Sequence, residues 1–220
     1  MEIENPIILY ILIYTMRLLE LFSGTKSVGK VAETLGYEVT SLDLKNADIN
    51  TDILNWDYTT YDPKHFDVIW GSPPCTEYSK ALTTRTRDIS SANQIVLKTL
   101  EIIEYLNPDY YVIENPQTGL LKEQIFMYGI PYKDIDYCKY GMPYRKRTRL
   151  WNNVFQWEPK QLCKKDCGNI INNKHKATAQ RMQHGTKDTW VNKPQFKQED
   201  LYVIPELLIY EIFGAIPINP

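Results

Sequence analysis

Short unbroken apolar runs alternate along this chain with longer stretches whose apolar residues recur at helical spacing. RLLELFSG, from Arg17 to Gly24, reads as a strand broken by a glycine. TKSVGKVAETLG then places Val28, Val31, Ala32 and Leu35 on one helical face, and Gly36 ends the helix. YEVTSLDL predicts a second strand finishing on Asp43, and HFDVIWGSPP a third, stopped by Gly71 and the prolines. Ser90 or Ser91 is the expected cap of a helix through NQIVLKTLEIIEYL, with its stripe at Ile95, Leu100, Ile103 and Leu106. Asn107-Pro108 stops it, and YYVIENP gives a further strand ending on Glu114. Beyond Trp151 the periodicity fades into polar, basic chain without repeats, until LYVIPELLIYEIF predicts a closing helix from Pro205.

Strands alternating with helices of this length imply an α/β fold around a mostly parallel sheet, with a small irregular basic extension. In such sheets ligands sit at the carboxyl ends of the strands. Gly24, Asp43, Cys75 and Glu114 all fall at those ends. Three parts are expected: a catalytic domain over 1–150, a short basic segment over 151–200, and a C-terminal helix over 201–220 that returns to the first part.

Composition adds little to this picture, and charge adds more. At 220 residues, 43% hydrophobic and 24% charged, the chain has the size and balance of one sizeable globular domain. Four cysteines in that length exclude a secreted disulfide scaffold and suggest an intracellular, reducing compartment. The early run PIILYILIYT is too short to span a bilayer and lacks the basic leader of a signal peptide. It reads as an extra strand or helix over the core edge, and Met16 offers a second start just before the first strong strand. Residues 139–197 hold 14 Lys/Arg against 3 Asp/Glu, whereas residues 1–138 hold 11 against 20. A basic block on an acidic protein implies a polyanionic partner.

The strand ends carry residue types with chemistry to offer. In ELFSGTKSVG the glycine permits a tight turn, with the next helix presenting free N–H groups, but the spacing is neither a P-loop nor G-x-G-x-x-G. Asp43 suits ribose hydroxyls and Asp52 an adenine amine; each is equally a helix cap or a solvated carboxylate when taken singly, and jointly they describe a nucleoside site. Cys75, in GSPPCTEYS, is either a small core hydrophobe or a nucleophile at the mouth of a cleft. Glu114 in a buried strand end needs a partner or a task. Arg145, Arg147 and Arg149, at alternate positions of YRKRTRLW, would project from one face of a strand and converge on an anion or ring.

Taken in order, these residues resemble the DNA (cytosine-5) methyltransferase family, in the short form carried by some phages and large viruses. ELFSGTKSVG is similar to its first motif, SPPCTEYS to its nucleophile motif, Glu114-Asn115-Pro116 to its E-N-[VP] motif, and RKRTR to its Q-x-R-x-R motif. The resemblance covers Arg17 to Trp151. It implies a Rossmann-like class I methyltransferase fold, S-adenosylmethionine as cofactor and double-stranded DNA as partner. It also implies that Cys75 attacks carbon 6 of a flipped-out cytosine and that Glu114 contacts the ring's N3 and exocyclic amine. Arg147 and Arg149 would hold the cytosine carbonyl and the surrounding loop. Phe22, Ser23, Gly24, Thr25, Asp43 and Asp52 would line the cofactor, bordered by Ser72 and Pro73.

The departures are specific. Arg145 stands where glutamine is usual, the second glycine of the first motif is delayed to Gly29, and only residues 152–204 are left for target recognition. Recognition is then either minimal or supplied by the basic segment or a partner chain; Lys164, Lys165, Lys174, Lys176 and Arg181 would contribute phosphate contacts, which give salt-sensitive affinity without sequence information. Trp151, Trp157 and Trp190 read as small-core anchors rather than stacking platforms. Cys163, Cys167 and His175, with Cys138 upstream, are the residue types of a tetrahedral zinc site. Their C-x3-C…H spacing is looser than paired C-x2-C and Cys138 lies on another element, so reduced loop thiols are expected and no metal is assigned. Rival readings are methylation of cytosine carbon 5 in RNA, an amino-methyltransferase (SPPC lacks its aromatic), and an inactive DNA-binding or regulatory subunit.

Overall fold

The computed structural model describes residues 15–177 and 199–217; PIILYILIY, Arg181 and Trp190 lie outside them. Strands β1 (Arg17–Leu21), β2 (Glu38–Asp43), β3 (Ile49–Asn50), β4 (Val68–Gly71), β5 (Tyr110–Pro116), β6 (Tyr132–Asp136) and β7 (Arg147–Asn152) form one sheet of order β3-β2-β1-β4-β5-β7-β6. All pairs from β3 to β5 are parallel, and only β7 runs antiparallel to its neighbours β5 and β6. This is the mostly parallel α/β sheet that the alternation of elements implies. A two-residue ribbon, β8 (Ile170–Ile171) with β9 (Lys174–His175), stands apart from it.

Burial on both faces explains why the strands read as unbroken apolar runs. Leu18, Val68, Trp70, Val112 and Leu150 pack under helix α1 (Ser27–Thr34) and helix α3 (Glu206–Gly214), through Val28, Val31, Leu208 and Phe213. Helix α2 (Ile89–Leu106) covers the other face, where Leu19, Leu21 and Ile69 meet Ile102 and Leu106. Each such side chain contributes about 1.5–3 kcal/mol on burial. Trp151 and Trp157 are buried, as core anchors should be. Among the described residues no helix is long and apolar enough to cross a membrane.

Two details differ from the sequence expectation. The cap of α2 is Asp88, whose carboxylate accepts the Ser91 N–H at 3.0 Å, and not Ser90 or Ser91. A carboxylate at a helix amino end gains from the helix dipole as well as the hydrogen bond, which favours it over the nearby hydroxyls. The buried stripe is Ala92, Val96, Thr99, Ile102 and Leu106, with Ile95, Leu100 and Ile103 only partly covered. In α1, Leu35 is exposed because the helix has already ended at Thr34.

Candidate active site

The sheet registers bring the sequence motifs to one edge. Leu21 pairs with Gly71, and Gly71 with Ile113, so the residues that follow β1, β4 and β5 leave side by side. Leu21 also pairs with Leu42, and Asp43 with Asn50, which sets Asp43 beside Phe22 and puts Asp52 just past β3.

At the end of β1 the chain turns abruptly. Phe22 and Gly24 both have positive φ, 60° and 42°. That is costly for a phenylalanine and persists only where the surroundings impose it, as at ligand sites. The Gly24 N–H donates to Asp43 Oδ2 at 2.9 Å, and Asp43 Oδ1 accepts the Leu44 N–H at 2.7 Å. Thr25 Oγ1 bonds Ser27 Oγ at 3.2 Å. Ser23 Oγ is buried and, among the described residues, has no hydrogen-bond partner. Asp52 caps the 3-10 turn Ile53–Asn55 through Oδ1, its carboxylate otherwise exposed. An orphan hydroxyl at a strained turn, flanked by two acidic acceptors with lone pairs to spare, fits a cofactor that carries ribose and adenine.

Beneath this turn lies Glu20, a residue the motif reading passed over. Its carboxylate is buried and accepts the Val28 and Gly29 N–H groups at 3.3 and 3.0 Å, anchoring the start of α1. Burial pushes its pKa up to about 7, against the lowering effect of those two bonds. A Cβ on Gly29 would lie 2.7 Å from Glu20 Oε2, so the delayed glycine of the first motif is where α1 must pass over this carboxylate.

The GSPPC stretch leaves β4 and is clamped from β5. Asn115 Nδ2 donates to the Pro73 carbonyl at 2.9 Å, and Trp70 Nε1 donates to Ser72 Oγ at 3.1 Å. Further along, Leu120 N–H donates to the Tyr78 carbonyl at 2.9 Å, and Tyr78 Oη to Asn93 Oδ1 at 2.8 Å. Cys75 therefore projects, partly exposed, from a fixed loop. Burial chiefly, then the charge of Glu114, raises its thiol pKa above the ordinary 9.0, and Lys146 opposes them. Glu114 is buried; its Oε1 accepts from Tyr137 Oη at 2.9 Å and faces Lys146 Nζ at 3.5 Å. Among the described residues Oε2 accepts no hydrogen bond, so one edge of the carboxylate remains for a ligand. Burial, and then the Glu114 charge, drive the Tyr137 hydroxyl well above its usual range, so it stays a donor.

The arginines lie elsewhere than their alternation suggested. They do share one face of β7, but Arg147 is chelated by Asp136 (Nε 3.0 Å, Nη2 2.7 Å) and Arg149 by Asp134 (2.7 and 2.9 Å). Arg149 also stacks on Tyr132, 3.5 Å from the ring centroid. Glu114 pairs with Leu150, which follows Arg149 and alternates with it, and so faces the other side of the sheet. The cation beside Glu114 is Lys146, which also lies over the Tyr137 ring at 4.9 Å. Nothing in RKRTR singles out the lysine; β6, which supplies the aspartates, was not expected at all. Arg145 is exposed.

The four metal-type residues do come together. Cys138 lies on a 3-10 turn (Tyr137–Tyr140) directly after β6, and that turn folds against the basic segment. Its thiol, those of Cys163 and Cys167, and the His175 imidazole offer ligand atoms all within 4.8 Å of one another. Lys164, Lys165, Lys174 and Lys176 are exposed around them.

A parallel sheet with one antiparallel strand near its edge, and a nucleoside-type turn after its first strand, define a Rossmann-like, S-adenosylmethionine-dependent methyltransferase fold. A family profile described as C-5 cytosine-specific DNA methylase matches residues 16–199. The chain belongs to that family, and so to a family of enzymes. It is 40% identical over 174 residues to the "Probable DNA (cytosine-5)-methyltransferase" of Frog virus 3 (isolate Goorha), covering 72% of this chain and 80% of that one. Among solved structures, the Entamoeba histolytica methyltransferase EhMeth is similar, with a TM-score of 0.51 and 19% identity. That likeness covers 68% of this chain and 56% of the other, so this chain matches little more than half of that protein's length.

Proposed function

We propose that this chain methylates carbon 5 of cytosine in DNA through a covalent bond from Cys75 to carbon 6 of the ring. The observation that carries this reading is the pairing of Cys75 with Glu114 at adjacent parallel strand ends, tied by the Asn115–Pro73 hydrogen bond. A cytosine stacked in a duplex is out of reach, so the base must turn out into the site. The free Glu114 oxygen meets the polar edge of the ring at N3 and the exocyclic amine. Tyr137 and Lys146 hold the other oxygen, which fixes the carboxylate in place. The raised thiol pKa keeps Cys75 protonated until a base arrives, and Lys146 favours the thiolate as the sulfur attacks. Addition at carbon 6 moves electron density to carbon 5. S-adenosylmethionine, when bound, supplies an electrophilic methyl group. The methyl acceptor is carbon 5 and the thioether of the cofactor would be the leaving group; the thiol proton and then the carbon-5 proton pass to solvent, and breaking the carbon 6–sulfur bond releases Cys75 and restores the aromatic ring.

The cofactor would be held by the Phe22–Thr25 turn, with Asp43 on the ribose and Asp52 on the adenine amine. Ser72 and Pro73 would border it. Arg147, held by Asp136 with 31% of its side chain exposed, and Arg149, held by Asp134, lie on the sheet face opposite Glu114 and would brace the surrounding loop rather than hold the carbonyl of the base. In this division of labour residues 1–150 carry the chemistry, 151–200 contact phosphates, and 201–220 close the catalytic part. Sequence choice rests with the basic segment or with a partner chain.

The test is tritiated methyl transfer from S-adenosylmethionine to duplexes containing cytosine or 5-fluorocytosine, with the parent protein and Cys75→Ala. Label on cytosine, and a denaturation-resistant adduct on 5-fluorocytosine that Cys75→Ala abolishes, are expected. Label on RNA and none on DNA would replace the substrate. Full turnover by Cys75→Ala would overturn the covalent route. Cofactor binding without transfer to either nucleic acid would leave the inactive-subunit reading in its place.

A further inference from the structure

We infer that Cys138, Cys163, Cys167 and His175 bind one zinc ion tetrahedrally, as a structural staple between the catalytic sheet and the basic segment. The inference stands apart from the reaction proposed above. A tetrahedron with zinc–sulfur bonds of about 2.3 Å and a zinc–nitrogen bond of about 2.0 Å has edges of roughly 3.5–3.8 Å. Cys163 Sγ and His175 Nε2 are 3.5 Å apart, and all four ligand atoms fall within 4.8 Å of one another. The fold gathers all four ligand atoms, and a contraction of at most about 1 Å between the farthest of them closes the shell.

The surroundings are those of a thiolate site. The Lys165 N–H donates to Cys163 Sγ at 3.3 Å, the kind of outer contact that orients a sulfur ligand. Lys165 and Gly168 both take positive φ, 70° and 75°, which bends the short C-x3-C segment back on itself. The Lys139–Asp166 ion pair (3.0 Å) holds that segment against the turn carrying Cys138. Cys138 and Cys163 are buried, and Cys167 and His175 are half-covered, so the site is closed rather than open to substrate. A disulfide would use two of the thiols and leave the third, with the imidazole, without a purpose. Three thiols and one imidazole are a borderline-soft donor set with four protein ligands, which suits structural zinc. On binding, the three S–H protons pass to solvent and the imidazole coordinates in its neutral form.

The fold has a use for such a staple. Residues 153–177 contain two two-residue strands and bury only Val154, Trp157, Cys163 and Ala177 as apolar anchors. Chain that cannot bury a core of its own is commonly held by metal. The staple also reaches the catalytic sheet. Asp136 Oδ2, which accepts from Arg147, also accepts the Cys163 N–H at 2.9 Å. Loading the site therefore sets the basic lysines at a defined place beside Arg147.

The experiment is metal analysis by mass spectrometry of the full chain purified under reducing conditions, followed by exchange of the metal for cobalt(II). One zinc per chain is expected, with tetrahedral d–d bands and a thiolate-to-cobalt charge-transfer band after exchange. Cys163→Ser and Cys167→Ser should lose the metal, while Cys75→Ser keeps it. The parent-protein measurement stands even if the ligand variants fail to fold. A folded, reduced parent chain with neither zinc nor a cobalt spectrum would overturn the site. Iron in place of zinc, or a Cys138–Cys163 or Cys163–Cys167 disulfide in the freshly purified protein, would overturn it equally.

Discussion

At the carboxyl edge of β1, β4 and β5, Glu114 stands in a main-chain ladder between strands buried on both faces, and Cys75 on a loop just beyond such a strand, clamped by Asn115. Residues 153–177 are positioned quite differently. They are held by three core anchors, Val154, Trp157 and Ala177, and by single polar contacts such as Cys163 N–H to Asp136, Ala177 N–H to the Pro143 carbonyl, Lys160 N–H to the Tyr140 hydroxyl, and Asn169 Nδ2 to the Met142 carbonyl. The first region derives its geometry from hydrophobic burial and repeated hydrogen bonds, so it tolerates the loss of any one polar contact. The second depends on a few side chains, each of which matters. The reaction proposed for the sheet edge needs sub-ångström placement, whereas the phosphate contacts proposed for residues 153–177 work with looser placement.

Glu114→Gln tests the first region at its centre and should have the largest effect. It keeps the shape and the Tyr137 contact but removes the charge, and should lower the methyl-transfer rate by about 10²–10⁴-fold with the melting temperature nearly unchanged. A rate within a few-fold of the parent would remove Glu114 from the chemistry. Asp136→Asn strikes the joint between the regions. It weakens the bonds to Arg147 and to Cys163 together and should cost about 1.5–3 kcal/mol in denaturant unfolding, together with a loss of DNA affinity at fixed salt. If stability falls and DNA binding does not, the joint is structural only.

Glu20→Gln probes how burial in the sheet responds to pH. The Glu20 pKa rises from 4.5 to about 7 on folding, so the folded protein holds that proton more tightly than the unfolded chain. Its contribution is fully present below pH 4.5 and is lost as pH rises through 7, a change of up to about 3 kcal/mol. The variant should flatten the unfolding free energy across that window, and an unaltered slope would refute the burial argument. Asp43→Ala is the smallest perturbation, since its carboxylate lies at the surface end of β2. Cofactor affinity, read by calorimetry, should weaken by about tenfold, the scale of one charge-assisted hydrogen bond, with DNA affinity unaffected. Unchanged cofactor affinity would detach Asp43 from that site.

The periodic elements and the strand-end residues were legible in the chain itself. Runs such as VIW and YYVIE are apolar because both sheet faces are covered, and the glycines, prolines and acids that interrupt them mark where strands leave the core. That local logic located Gly24, Asp43, Cys75 and Glu114 at one edge. It did not reach the pairing of side chains across the antiparallel return. β6 is short and mixed in character, yet its Asp134 and Asp136 claim Arg149 and Arg147, and the turn after it delivers Tyr137 to Glu114. Lys146 stands among arginines in sequence, and only the direction in which β7 enters the sheet turns it toward Glu114. The gathering of Cys138 with Cys163, Cys167 and His175 is likewise a matter of tertiary structure. Irregular chain has no period from which to read an approach, so long-range contacts alone decide which thiols meet.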